Sequence, residues 1–568
     1  MQYRLTAATI LSLAVLVAAG CTHHEARSAA PGTTPMHTGS ALATPRLYDG
    51  FGNYQRKVST SNPEAQRYFN QAMQFLYGYN HDEAIRSFQR AAALDDRLGI
   101  AWWGIAYAHG LHINNPTMTE QQSKLAYEAA QQALRRVDGA TPAEKSLILA
   151  VSKRYAMPIP ENRKHLDEAY ADAMRAAWKS HGNDPDIGAL YAESMMNRQP
   201  WDLWTKDFKP KGRALEIQAV LERVIQLDNN HPGANHFYIH TMEASSTPEK
   251  ALPSADRLRT LVPGSGHLVH MPAHIYARVG RWGDASDANV AAIQADRAYF
   301  AKAPKPDFYS LYYVHNLHFL AWAAMMEGRY AASMQACNEL QRDIPRDFLK
   351  DFAFIADGFM PVKYHCMIRF GKWDDILKES MPEDWRYLSV ASLHYARGVA
   401  FAAKGNIAEA RKELAAFEMA AKAIPENWMV MQNKASDVMA VAHKMLQGEI
   451  AFRERKSDEA FKLLREGVAL EDNLNYDEPP AWMQPVRHAL GALLLADNRA
   501  KEAEKVYRED LARYPENGWA LLGLRQSLEA QTQQQAADAT QQRFVKAWSR
   551  ADVKPVASCY CHPHARAE

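Results

Sequence analysis

Residues 65–96 read AQRYFNQAMQFLYGYNHDEAIRSFQRAAALDD. A large aromatic stands at Tyr68, a small residue at Ala72 and an aromatic again at Phe75; Ala84, Phe88 and Ala91 continue the pattern. Steps of three and four place such residues on one face of a helix. The small residues let two helices approach closely, so the stretch predicts a packed helix pair. One period on, from Gly99, Trp102 and Ala106 fall in the same phase.

The frame recurs downstream. From Pro232 it places Ala251 and Pro263, from Gly266 it places Gly280 and Ala285, and from Val314 it places Gly328 and Pro345. From Ala391 it gives Gly398, Gly405 and Ala410, and from Gln484 it gives Gly491, Ala503, Tyr507 and Pro515. The prolines fall where the second helix of a pair must end. This spacing resembles the tetratricopeptide repeat, with its period of about 34 residues. The resemblance covers most of residues 60–530 and implies an all-α superhelical solenoid of antiparallel helix pairs. Between residues 120 and 230, and between 346 and 390, the frame blurs, and helix pairs with altered loops are expected there.

The chain has 568 residues and a formal net charge of +1, so no bulk electrostatic case for nucleic acid arises. Hydrophobic content of 47% and charged content of 23% mark a folded chain. Arg4, the apolar run over residues 5–19 and Gly20-Cys21 have the layout of an export signal. Ala18, Ala19 and Gly20 before Cys21 resemble a bacterial lipobox, with Ala18 where leucine is usual. That resemblance implies an acylated Cys21 as mature N-terminus, and Thr22 after it implies an outer-membrane lipoprotein facing the periplasm. The expected organisation is a signal over 1–20 and a flexible tether over 21–46. Repeats follow over 47–230, a histidine-rich centre over 231–345, further repeats over 346–530, and a terminal helix with a Cys/His tail over 531–568.

The centre carries the chemistry. In GANHFYIHTMEAS, GHLVHMPAHIYARVGRW and VHNLHFLAW, the residues His236, His240, Glu243, His267, His270, His274, His315 and His318 recur at helical steps. In tetratricopeptide repeats, positions 2, 5, 9 and 12 of each first helix face the concave surface. The resemblance puts every one of these residues in that register, while Tyr238, Ile239, Val269 and Leu317 fill the core. Neutral imidazole beside carboxylate suits a divalent transition metal such as zinc, copper or iron. Glu193, Asp202, Tyr238 and Tyr276 are candidate supporting acceptors. Pro272 removes the bond to Leu268 and is expected to kink its helix.

The same strings, with YDEPPAWMQPVRHALGALLL further on, resemble a group of exported bacterial tetratricopeptide proteins. That resemblance names no substrate or reaction. The expected function is metal binding in a histidine-lined groove. Two alternatives stay open: a metal-dependent hydrolase or oxygenase with Glu243 or Glu193 as base, and a metal-free scaffold for a protein or peptide. Membrane contact is expected through the lipid alone. Cys559, Cys561, His562 and His564 form a second candidate metal set, or the two cysteines a closely spaced disulfide. Asp477 and Glu478 sit in a proline-stopped loop read as an inter-repeat connection that could close one end of the groove.

Overall fold

The computed structural model describes residues 45–303 and 308–562. The signal, most of the tether, Cys21 and His564 lie outside the described residues. Among these, helices dominate, and the named strands are a short antiparallel pair, Met429–Val430 with Asn433–Lys434. No described helix is long and apolar enough to cross a membrane. The chain divides into two compact units. One runs to Leu203 and adds Gly212–Phe237; the other comprises Trp204–Lys211 and everything from Tyr238 onward.

The first unit contains α1 (Pro63–Tyr77), α2 (His81–Leu94), α3 (Gly99–Ala108), α4 (Glu120–Leu134), α5 (Pro142–Val151), α6 (Lys164–Ser180), α7 (Pro185–Met196), α8 (Ala214–Leu227) and the start of α9 (Pro232–Met242). Asn62 caps α1 by accepting from the Glu64 and Ala65 amides, with Pro63 at the first helical position. The periodic residues Tyr68, Ala72, Phe75, Ala84, Phe88 and Ala91 are all buried. From α1 to α8 each helix packs on the next, and α1 also meets α3 while α3 meets α5. That is the pattern of stacked hairpins, in which each pair buries the face its neighbour exposes. In the blurred span, Thr119 with Gln122 and Thr141 with Glu144 form capping boxes that start α4 and α5. The starts of α4 and α5 are set by these local caps rather than by the repeat spacing.

The second unit begins with α10 (Leu252–Leu261), α11 (Gly266–His270), α12 (Pro272–Arg278), α13 (Trp282–Phe300), α14 (Ser310–Met326) and α15 (Tyr330–Asp343). Short helices α16 (Arg346–Asp351), α17 (Ala353–Ala356), α18 (Val362–Arg369) and α19 (Trp373–Lys378) follow. Regular pairs resume with α20 (Tyr387–Ala403), α21 (Ile407–Ala423), α22 (Ala435–Arg453), α23 (Ser457–Asp472), α24 (Val486–Ala496), α25 (Ala500–Arg513), α26 (Gly518–Ala530) and α27 (Gln534–Ala547). The need for small residues is direct. A Cβ at Gly491 or Gly523 would stand 2.4 or 2.1 Å from the Tyr507 ring, which fills both gaps. Pro272 kinks its helix: Met271 keeps helical angles (φ −50°, ψ −37°) while the run splits into α11 and α12.

One expectation needs correcting. Among the described residues of the second unit, the face expected to line an open concave groove is covered, because its last helices return to α13, α14 and the start of α15. Trp282 Nε1 donates to the Pro515 carbonyl at 2.9 Å, and Trp519 Nε1 donates to the Met325 carbonyl at 2.7 Å. Asp552 accepts from the Tyr330 and Ala331 amides at 2.6 and 2.9 Å. Gly280, at φ +80°, lets the Pro515 backbone come close; a Cβ there would stand 2.6 Å from the carbonyl oxygen. The face expected to line a groove is therefore largely interior.

Candidate metal centre

Five segments of the second unit supply the centre. The end of α9 and the turn after it bring His240 and Glu243, α11 brings His267 and His270, α12 brings His274, and α14 brings His315. The fifth is the loop before α24, which brings Glu478. That loop is stitched to the small hairpin. Asp477 accepts from the Gln432 amide at 3.1 Å and from Asn433 Nδ2 at 2.7 Å, and the Asn475 amide donates to Asn433 Oδ1 at 2.7 Å. These bonds fix the position from which Glu478 reaches inward.

His274 is the hub. Its Nδ1 lies 2.8 Å from Glu243 Oε2 and 3.0 Å from Glu478 Oε2. Neither oxygen meets Nδ1 in hydrogen-bonding geometry, and all three atoms are otherwise without a partner. Two carboxylate oxygens thus flank the Nδ1 axis instead of lying on it. On the other side of the ring, His274 Nε2 is 2.9 Å from His270 Nε2. His270 Nδ1 is 2.7 Å from Asn289 Oδ1, and Asn289 Nδ2 is committed to the Ala285 carbonyl. The amide orientation therefore makes His270 Nδ1 the donor and leaves its Nε2 to accept from His274. His240 Nδ1 in turn donates to Glu243 Oε1 at 2.8 Å. Two sets of potential ligand atoms gather within 4.8 Å and share His274: Glu243, His274 and Glu478, and His270, His274 and His315.

The electrostatics follow the geometry. Burial would lower the His274 pKa, but Glu243 and Glu478 outweigh it and raise the value to about 9. Burial would raise Glu243, yet His274 and His240 hold it down at about 2. Glu478 is pushed up to about 7 by burial, against the pull of His274. Burial, then the neighbouring His274, keeps His270 well below its ordinary value; His315 is lowered the same way, by burial and then His270 and His274. The set thus contains one proton-rich imidazole between two acids and two neutral imidazoles beside it.

The remaining candidates are placed differently. His236 belongs to the first unit, where its Nδ1 meets the Tyr77 carbonyl at 2.6 Å and its ring packs on Tyr79. The His267 ring lies 4.2 Å from that of Tyr312 and 6.0 Å from that of His270. His318 packs edge-on against Phe359, apart from both sets, and burial followed by the nearby His365 lowers it to about 3. Cys559 and Cys561 are joined in a disulfide, so neither offers a thiolate to a tail metal set. Among the supporting acceptors proposed from sequence, Tyr276 donates instead to Asp256 at 2.8 Å. Glu193 lies in the first unit, where burial pushes its carboxyl up to about 8. The side chains that hold His270 and Glu243 in place are Asn289 and His240. Sequence spacing gave no sign of Asn289, while Glu478 stood in the YDEPPAW loop without any mark tying it to a histidine.

No protein-family model matches the chain, and no curated protein matches it. Among solved structures, the human IFIT1 dimer with m7Gppp-AAAA is 13% identical, with 86% of this chain and 90% of that one covered and a TM-score of 0.30. Yeast Tom70 is 12% identical, with 85% and 90% covered and a TM-score of 0.28. Cut9–Hcn1, the APC/C hetero-tetramer, is 11% identical, with 85% and 76% covered and a TM-score of 0.30. Scores this low add nothing to the fold read directly from the helix pairing.

Proposed function

We propose that the second unit binds one divalent first-row transition metal ion through His274 Nδ1, Glu243 and Glu478, and that this ion clamps a helical-repeat binding scaffold. One observation carries the reading: a buried imidazole nitrogen is flanked at 2.8 and 3.0 Å by two carboxylate oxygens, with a hydrogen bond to neither. Two buried carboxylate oxygens crowd one imidazole nitrogen in this way when a cation belongs among them, and a metal ion takes the place of the proton that His274 otherwise carries. One nitrogen and two oxygens suit zinc or iron(II) better than a soft ion such as copper(I). The chain Asn289–His270–His274 supplies the outer support that fixes a ligand's tautomer, and His240 does the same for Glu243.

The ligands are almost wholly buried, as in a structural site that closes its coordination sphere. A carboxylate held near pKa 2 is also a poor general base, which weighs against Glu243 driving hydrolysis. The ion would tie the loop carrying Glu478 to α9 and α12. In this reading the chain is exported and anchored through Cys21, and the Cys559–Cys561 disulfide suits an oxidising compartment.

Elemental analysis of protein purified without a histidine tag tests the proposal. About one zinc or iron per chain is expected, and Glu478→Gln should weaken retention by at least about tenfold, since it removes one ligand charge. Metal-free wild type that cannot take up zinc, iron or manganese would end the reading.

Ion uptake should also expel protons, because the ligands bind in their basic forms. With His274 titrating near 9 and Glu478 near 7 in the metal-free protein, uptake should release about two protons at pH 6 and about one at pH 8. Release should vanish well above pH 9. Calorimetry in buffers of different ionisation enthalpy reads this number, and a release independent of pH from 6 to 10 would contradict the assignment of His274 as ligand.

A further inference from the structure

Arg154 follows α5 in the first unit, with only 1% of its surface exposed. Its Nη2 donates to the Leu111 carbonyl at 2.6 Å, and its guanidinium carbon stands 5.1 and 5.0 Å from the ring centres of Tyr107 and Tyr170. The Tyr155 hydroxyl lies beside it but gives its own proton to the Ala106 carbonyl. Among the described residues no carboxylate forms an ion pair with Arg154. Asp167, an acid whose charge reaches it, is gripped by Arg163 at 2.9–3.2 Å.

Unspent hydrogen-bonding capacity collects around this cation. Nε and Nη1 of Arg154, the hydroxyls of Tyr107 and Tyr170, and Nε2 of His81 are all buried without a partner. His81, which opens α2, lies near enough to feel the Arg154 charge. A guanidinium cannot shed its proton to escape burial. The two tyrosine rings attract the cation through their faces, but they leave its N–H groups and their own hydroxyls unused. Folded interiors pair nearly all such atoms, and buried charges are balanced by an opposite charge.

We infer that the first unit binds a small tetrahedral oxyanion, of the phosphate or sulfate class, at Arg154. Nε and Nη1 of Arg154 supply charge-assisted donors, and the Tyr107 and Tyr170 hydroxyls supply neutral ones. An oxyanion offers acceptors in several directions at once, which suits donors on α3, on α6 and in the turn after α5. A halide offers no directional lone pairs for this set, and water leaves the charge unbalanced.

Two measurements test the inference on the whole chain, with inorganic phosphate as probe. Protein desalted into chloride buffer is denatured and its released anions are quantified; the same protein is then melted against rising phosphate at constant ionic strength. The expected result is either about one equivalent of phosphate or sulfate released, or a saturable rise in Tm of several degrees with phosphate that chloride does not give. Arg154→Met should abolish both, and Tyr107→Phe with Tyr170→Phe should weaken phosphate binding at least tenfold. The tyrosine pair decides the matter if Arg154→Met does not fold. No released anion together with no phosphate-dependent shift would overturn the proposal. So would an equal shift in Arg154→Met, or an Arg154→Met protein more stable than wild type with or without phosphate. None of these readouts depends on whether the second unit holds a metal.

Discussion

His274→Ala should reduce bound metal from about one ion per chain to background, with affinity falling by more than about 10³-fold. Supporting residues around a metal typically cost only 10–100-fold when removed, and His274 is the nitrogen both carboxylates face. Stability should follow. An ion present at a thousand times its Kd adds about 4 kcal/mol to the folded state, so chelation should lower the wild-type Tm while leaving the variant unmoved. His318→Ala is the control, since His318 packs on Phe359 apart from both ligand sets. Metal retained in His274→Ala, or lost equally in His318→Ala, would show that the ion sits elsewhere. In the metal-free protein the alanine also leaves Glu243 and Glu478 facing each other without the cation between them, so denaturation midpoints must be compared after chelation of both proteins.

Trp519→Ala should destabilise the second unit by roughly 3–5 kcal/mol, the cost of emptying a large aromatic site. The side chain is fully buried, donates to the Met325 carbonyl at 2.7 Å and carries the Arg369 guanidinium 4.7 Å from its ring. Trp519→Phe should cost less, because it keeps most of the apolar surface and forfeits the indole N–H bond, worth about 1 kcal/mol. Urea unfolding followed by far-UV circular dichroism reads both. If Trp519→Ala unfolds within 1 kcal/mol of wild type, the return of the last helices contributes little to the stability of the unit.

The helix pairs were legible because each repeat writes its packing locally. Tyr68, Ala72 and Phe75 stand at spacings that only a helix face explains, and Gly491 and Gly523 are small because Tyr507 fills the space. The same locality exposed His240, Glu243, His270, His274 and His315, which sit at three- and four-residue steps on neighbouring helices. Glu478 was hidden because it reaches His274 across the fold from a loop whose path depends on Asp477 and Asn475 meeting Asn433. Asn289 was hidden for a related reason: α13 packs on α11, and no sequence interval specifies which of its residues meets His270. The return of the last helices was illegible too. Repeat spacing encodes contacts between neighbours, whereas closure depends on small rotations accumulated over many pairs. The tail was chemically ambiguous, since alternate cysteines serve a metal or a disulfide equally well.

The pairing of early and late helices in the second unit also sets a timetable during synthesis. Trp282 and its acceptor Pro515 are separated by 233 residues, and Met325 and Trp519 by 194. At 5–20 residues per second, the ribosome needs roughly 10–50 s to make the covering segments after the covered ones. For that interval α13 and α14 exist as nascent helices with an uncovered aromatic seam, Trp282 against Trp322. A repeat chain ordinarily acquires its stability unit by unit as it emerges. This one carries its central repeats unfinished until Pro515 and Trp519 have been made.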